Sequence, residues 1–371
     1  MSQWDAERHA RLQLHLVAGV GPRTQQCLLE HFGSASSALA ATQGELQQVP
    51  RVGLKLAERI VAAAHEDAAL PVLEVCRESA VQVLLHGDDG YPSPLSHIPD
   101  PPGALFVRGG WMEADALSVA IVGSRHATRY GLNQAERLGR GLALAGLTIV
   151  SGLARGIDAA AHRGALAVAG RTLAVLGSGV LRIYPPEHGE LGDAIAASGA
   201  LLSEAPPLRK PMSGAFPQRN RLISGVSLGT IVVEAADRSG ALITARHAME
   251  QGREVFAVPG RVDSRLSRGC HQLLRDGAKL VEHVDDVLEE LCPLAAPVRQ
   301  PDSEHTVHHA RELKLDERER KVLDHIGAEP THPDTIAAEC QLPIHHVLAT
   351  ISVLESRRLI HRTSGSTVAR C

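Results

Sequence analysis

Gly123-Ser124-Arg125 follows the apolar run Ala120-Ile121-Val122. A glycine at such an exit lets a ligand approach the backbone, and the hydroxyl and guanidinium beyond it can bind an anion. Ser151-Gly152-Leu153-Ala154-Arg155-Gly156-Ile157-Asp158 follows Ile149-Val150. Two glycines with serine and arginine among them, at a strand-to-helix junction, suit a phosphate cradle; Asp158 is equally suited to capping the helix. No Gly-Lys-Ser/Thr follows, so the stretch is not a P-loop. Gly177-Ser178-Gly179, after Val175-Leu176, lacks the third glycine and the later acidic residue of a dinucleotide fingerprint. NAD is not expected, nor any other cofactor.

The most informative stretch is Phe216-Pro217-Gln218-Arg219-Asn220-Arg221. Two arginines flank an asparagine beside an aromatic ring, in a chain only 2% aromatic. Phosphate clamps with one stacking surface are what an unpaired polynucleotide requires. The competing reading pairs the arginines with Glu204 or Glu234 and buries the ring. Ser239-Gly240 opens a helix after a strand and again suits a phosphate.

These groups are positioned by an alternation of short apolar runs and helix-length segments between about 117 and 290. The runs are Ser118–Val122, Thr148–Val150, Leu173–Leu176, Ala200–Ser203, Thr230–Glu234, Glu254–Val258 and Lys279–Val281. Short runs without polar alternation predict strands covered on both faces, hence an α/β fold with a mostly parallel, doubly wound sheet. Two further runs, Val81–Leu85 and Ala104–Val107, enclose a proline-rich stretch and read as a lead-in to this domain.

Residues 1–75 are helical in pattern and carry two turns resembling helix-hairpin-helix motifs, Val17–Pro22 and Val49–Lys55. In the second, Arg51 stands where the first glycine is expected, so a purely structural role is at least as apt as DNA contact. Residues 80–291 form the central domain. Residues 292–314 mix proline, charge and histidine without periodicity and read as a linker. Residues 315–371 predict three helices and a hairpin, a winged-helix-like module. The predicted recognition helix has basic charge only at Arg357 and Arg358, which favours protein contact or regulation over duplex reading.

Net charge is −4, so any polyanion site must be a local patch. Five of the 38 basic residues are lysines, leaving 33 arginines, which suit bidentate phosphate contacts and base stacking. The six cysteines have neither C-x-x-C spacing nor zinc-finger histidines, and read as reduced thiols in a cytoplasmic protein without a metal site. No apolar stretch approaches 18 residues, so no membrane span or signal peptide is expected.

In order, GSR, SGLARGID, LGSG with YPPEH, SEAPP, FPQRNRLISG, VVEAADRSGALITA, AVPG and SRGC closely resemble the DprA/Smf family over roughly residues 80–290. The resemblance implies an extended Rossmann-like domain that binds single-stranded DNA in a basic pocket, dimerises, and delivers the strand to the recombinase RecA during natural transformation. Carried onto this chain, the pocket comprises Gly123, Ser124, Arg125, Ser151, Gly152, Arg155, Gly156, Phe216, Arg219, Asn220 and Arg221. Some members place a basic residue shortly before the phenylalanine; here Met212-Ser213-Gly214-Ala215 stand there, with Lys210 further upstream.

The rival is an enzyme. Nucleotide phosphoribohydrolases share a Rossmann-like core and a Gly-Thr turn with a downstream glutamate. Here Leu228-Gly229-Thr230 lacks a preceding Pro-Gly-Gly, and Glu234 falls one residue too far along. On a strand that slip turns the side chain to the other face. A duplex-DNA regulator working through the terminal modules is a second rival, and a nuclease lacks its carboxylate cluster. A non-catalytic binding role is expected.

Overall fold

The uninterrupted apolar runs become strands of one nine-stranded sheet. The structure is a computed structural model that describes residues 6–291, 298–299, 306–307, 315, 317–327, 330–356, 359–362 and 367–370. The strands are β1 (Val81–Leu85), β2 (Ala104–Gly109), β3 (Ser118–Val122), β4 (Thr148–Ser151), β5 (Thr172–Val175), β6 (Ala200–Ser203), β7 (Gly229–Val232), β8 (Glu254–Ala257) and β9 (Lys279–Leu280). Their order is β1-β2-β6-β5-β4-β3-β7-β8-β9. The pairs β1–β2 and β2–β6 are antiparallel. The remaining pairs are parallel. The expected fold class holds, with one correction: the lead-in of residues 81–107 is part of the sheet itself and extends it beyond β6. Two short strands joined by prolines give no period by which to assign them to a neighbour.

Six helices precede the sheet: α1 (Ala6–Leu16), α2 (Pro22–Phe32), α3 (Ala35–Ala40), α4 (Gln43–Leu46), α5 (Leu54–Ala63) and α6 (Ala69–Glu78). The first five share a core that includes Leu14, Leu28, Leu46 and Ile60. Leu12 of α1 and Cys76 of α6 turn the other way and pack with Phe106 and Leu201 of the sheet. Arg51 takes φ 71°, the left-handed conformation that the missing glycine would adopt freely. The turn therefore keeps its shape at a local cost of about 1–2 kcal/mol.

Along the sheet come α7 (Ser93–Ser96), α8 (Arg129–Leu144), α9 (Ile157–Leu166), α10 (Gly189–Ser198), α11 (Ala215–Gly225), α12 (Gly240–Glu250), α13 (Arg268–Arg275) and α14 (Val284–Leu291). Alternate residues of each strand face opposite layers. Val119 and Ile121 pack with Leu138, Ile157 and Leu288 of α8, α9 and α14. Ala120 and Val122 pack with Ile223, Ala245 and Cys270 of α11, α12 and α13. Each fully buried aliphatic chain contributes about 1.5–3 kcal/mol, so these two layers fix where the strand ends sit.

The C-terminal module has α15 (Glu317–Asp324), α16 (Pro333–Cys340), α17 (Ile344–Ser356) and a hairpin of Ile360–Arg362 with Val368–Arg370. Val322, Ile336, Val347, Ile351 and Val368 make its core. The expected recognition-helix cations Arg357 and Arg358 lie outside the described residues, as does most of the expected linker. Among the described residues, no helix is long and apolar enough to cross a membrane.

Candidate nucleic-acid interface

Strands β3 and β7 lie side by side, and the strand order runs away from them in both directions. At such a switch point the connections diverge and open a crevice beyond the carboxyl ends of the strands. Here the crevice is about 760 Å³. Gly123, Ser124 and Arg125 line it from the β3 exit, Ala236 to Gly240 from beyond β7, Phe216, Arg219 and Asn220 from α11, and Arg265 from the turn before α13. Sequence reading thus brings six of its eleven expected residues to one cleft. Ser151, Gly152, Arg155, Gly156 and Arg221 do not line it.

Arg125 is exposed, and its guanidinium carbon lies 5.3 Å from the centre of the Phe216 ring. Arg125, Arg238 and Arg265 are exposed cleft cations, and among the described residues none of the three has a carboxylate within ion-pair distance. Asp237, also on the cleft, lies 3.8 Å from Arg268. The N-terminus of α12 opens onto the same space, with the Ser239 hydroxyl accepting from the Ala241 amide at 3.3 Å. Asn220 Nδ2 donates to the Gly240 carbonyl at 3.2 Å, tying α11 to that turn.

Two expected phosphate clamps are turned inward. Arg219 is 6% exposed; its Nη1 donates to the Gly152 carbonyl at 2.8 Å and also to the Val175 carbonyl. Those carbonyls lie at the carboxyl ends of β4 and β5, where the ladder no longer satisfies them. Burial pulls the Arg219 guanidinium down to about 10, with nearby Asp158 pulling it back up, so it stays charged at neutral pH. Arg221, also 6% exposed, donates through Nη2 to both Glu204 oxygens at 2.8 and 2.6 Å and lies 3.4 Å from Asp100. The inward pairing with Glu204 is the outcome for Arg221. For Arg219, main-chain carbonyls take the place of a carboxylate partner.

The expected cradle around residues 151–156 is likewise occupied by the protein. The Asp158 carboxylate, in the first turn of α9, accepts from the amides of Gly152 and Ala154 at 3.1 and 3.3 Å, so it ties the preceding loop to the helix start. The N-cap position itself is Gly156, without a side-chain cap, so the capping role is not what Asp158 does. Ser151 Oγ donates to the Ile121 carbonyl at 2.6 Å beneath the sheet surface. A Cβ on Gly152 would meet the Arg219 guanidinium, and Gly156 combines φ 77° with a 2.2 Å approach of the Ser124 carbonyl to its absent Cβ. Gly123 is similarly crowded by Ile157 and the Glu234 carbonyl. These glycines therefore serve close packing within the chain. The Ser124 amide donates to the Glu234 carbonyl at 2.7 Å, and its hydroxyl accepts from the His126 amide at 3.1 Å. Arg155 is exposed but paired with Glu187 at 2.5 Å.

Glu234, the residue on which an enzymatic reading turned, lies past the end of β7 and is 3% exposed. Its carboxylate accepts from the Thr128 amide at 2.8 Å and the Thr128 hydroxyl at 2.5 Å, holding the start of α8. Among the described residues there is no group of three His, Cys, Asp or Glu side chains placed to hold a metal ion.

In α9, His162 is fully buried, with Nδ1 2.7 Å from Thr172 Oγ1 at the start of β5. That hydroxyl donates to the Ile149 carbonyl at 2.7 Å, so the ring nitrogen is the donor to it. Burial, reinforced by His188 and Arg219, pushes His162 down to about 3. The unfolded chain takes up this proton near pH 6.5 and the folded chain does not. The stabilising effect is complete above pH 6.5 and is lost as pH falls. Acidification to pH 5 is expected to remove about 2 kcal/mol through this residue. Denaturant melts at pH 7 and pH 5 check it: the wild-type loss should shrink by that amount in His162→Asn, and equal losses in the two proteins contradict it.

Sequence reading missed Arg238 and Arg265 as cleft cations. The DRSG turn was the available signal for Arg238, since it leaves the strand adjoining β3. Arg265 reaches the cleft from a turn whose position no local pattern announces.

The model of the family described as DNA recombination-mediator protein A matches residues 82–292. The chain belongs to this family, DprA/Smf. A DprA winged-helix model matches residues 308–366, and a SAM-like helix-hairpin-helix tandem matches residues 13–66. Protein Smf of Synechocystis is 34% identical, covering 94% of this chain and 95% of its own. Protein Smf of Escherichia coli is 42% identical over 75% of this chain and 74% of its own. The X-ray structure of DprA from Streptococcus pneumoniae superposes with a TM-score of 0.66 at 36% identity, covering 77% of this chain and 98% of that one. The DprA structure from Helicobacter pylori, described by its single-stranded DNA binding mode, gives a TM-score of 0.51 at 31% identity over 57% of this chain and 95% of that one. The family's role in DNA processing and recombination thus applies to this DprA/Smf chain.

Proposed function

We propose that this protein binds single-stranded DNA in the cleft between the exits of β3 and β7 and does so without turning it over. The carrying observation is Arg125, an exposed cation with no carboxylate partner among the described residues, set over the Phe216 ring that also lines the cleft. Arg238 and Arg265 add charge to the same cleft. Phosphates sit on these guanidiniums and at the start of α12, while a base stacks on Phe216. Arg219, inward and bonded to main-chain carbonyls, shapes the cleft wall, Arg221 pairs with Glu204 away from it, and neither acts as a direct clamp.

The division of labour is residues 1–75 helical, 80–291 DNA-binding, 292–314 linker and 315–371 winged-helix-like, the last serving protein contact. As a homodimer in the cytoplasm, the protein delivers the bound strand to RecA and protects incoming DNA during natural transformation. The relatives named DNA processing proteins, and the Helicobacter pylori DprA described by its single-stranded DNA binding mode, support the DNA-binding part of this reading. Glu234, engaged by Thr128, offers no support for the nucleotide-hydrolysing alternative.

The test is fluorescence anisotropy of the full chain with labelled single-strand and duplex oligonucleotides at two salt concentrations. Single strands are expected to bind more tightly, and to weaken steeply with salt in a log–log plot. Equal affinity for duplex, or no salt dependence, overturns the proposal.

A further inference from the structure

The chain has nine aromatic residues, four phenylalanines, three tyrosines and two tryptophans. Against that scarcity, the half-buried Phe216 has an exposed ring for a neighbour. Tyr184 is 37% exposed, and its centroid lies 5.7 Å from that of Phe216 with the planes 47° apart. With Arg125 on the other contact of Phe216, three flat groups stand in series: a guanidinium, a phenyl and a phenol. Arg125 and Phe216 line the cleft; Tyr184 lies outside it, so the series leads from inside the cleft to its rim.

The chain holds the two rings of this series in place. Phe216 lies against Gly177, where a Cβ would come to 3.0 Å of the ring, so a larger residue would push the ring off. Tyr184 is a neighbour of Arg155, which is itself held by Glu187 at 2.5 Å. An exposed ring of this kind has no hydrophobic reason to remain at the surface, and it stands ready to stack without prior ordering.

We infer that Tyr184 is a second base-stacking surface, taking the nucleotide next to the one on Phe216. The single strand then leaves the cleft over the first turn of α11, toward Tyr184 and Arg155. This rests on the proposed single-strand binding and adds to it a direction and a residue. Arg155 and Glu187 act here as positioning residues, with the pair leaving no surplus charge beside the ring.

The decisive measurement compares wild type, Tyr184→Ala and Tyr184→Phe against an oligo-dT strand and against a strand of the same length made wholly of abasic sites. On oligo-dT, Tyr184→Ala is expected to bind about 5- to 150-fold more weakly than wild type, the range of one lost base–aromatic stack, and Tyr184→Phe to match wild type. On the abasic strand all three proteins should bind alike, since phosphates remain and there is nothing to stack. Equal oligo-dT binding by Tyr184→Ala overturns the inference. So does a loss of the same size on the abasic strand, which would mark a backbone contact or a disturbed fold. Failure of wild type itself to bind oligo-dT would instead overturn the proposed function.

Discussion

Arg125→Glu is expected to weaken single-strand binding at least about 10- to 100-fold while leaving the melting temperature within a degree or two of wild type. The side chain is exposed, and its described contact is the face of Phe216, so removing it leaves no carboxylate or carbonyl unsatisfied. A charge-assisted bond contributes about 1.5–3 kcal/mol, which sets that range, and the reversed charge adds repulsion. The salt slope separates a phosphate contact from a packing effect. Losing one phosphate contact lowers the slope of log affinity against log salt by about 0.7 for a single strand. Anisotropy titrations of Arg125→Glu and Arg125→Ala at four salt concentrations measure it. An Arg125→Glu protein with wild-type affinity and slope would show that the cleft is not the phosphate path.

The second large effect runs the other way. Arg219→Met is expected to destabilise the central domain by about 3–5 kcal/mol, lowering the melting temperature by about 10 °C. The substitution takes the donor from the Gly152 and Val175 carbonyls and removes the charge nearest Asp158. Burial already pushes the Asp158 carboxyl up from its ordinary value, with Arg219 opposing that shift, so without Arg219 the buried carboxylate becomes costlier still. Where the variant is folded, its salt slope should equal that of wild type. The informative contrary result is a variant that melts like wild type and binds with a reduced slope; Arg219 would then be a direct phosphate clamp. The contrast between two arginines from one binding surface is a contrast in burial. One meets solvent, the other the carbonyl ends of two strands.

Much of this was legible beforehand. Short runs lacking polar alternation, separated by helix-length segments, admit few arrangements other than a parallel sheet covered on both sides. Ser118–Val122 and Ala200–Ser203 have the strand limits read from the run of residues alone. The ligand edge was legible too, because connections leave a parallel sheet at its carboxyl end, and Gly123 to Arg125 had to lie there. The proline-linked runs at 81–107 were harder, since an apolar run does not carry the address of its partner strand. The second of them, β2, pairs antiparallel with β6 through contacts nearly a hundred residues away, and β1 joins only through β2.

What the chain's own order of residues determined is which chemistry is available: cations, a rare ring and strand-exit turns, all suited to holding a polyanion. Which of those cations face outward was decided in three dimensions. Phe216, Arg219, Asn220 and Arg221 lie within six positions of one helix, and 100° of rotation per residue sends them to different surroundings. Arg221 meets Glu204 and Asp100, Arg219 meets unsatisfied carbonyls, and Phe216 meets Arg125. Conversely, Arg238 and Arg265 reach the cleft because β7 lies beside β3, an adjacency no local stretch encodes. A guanidinium binds whichever acceptor the fold places nearest, and that placement is a property of the packed sheet.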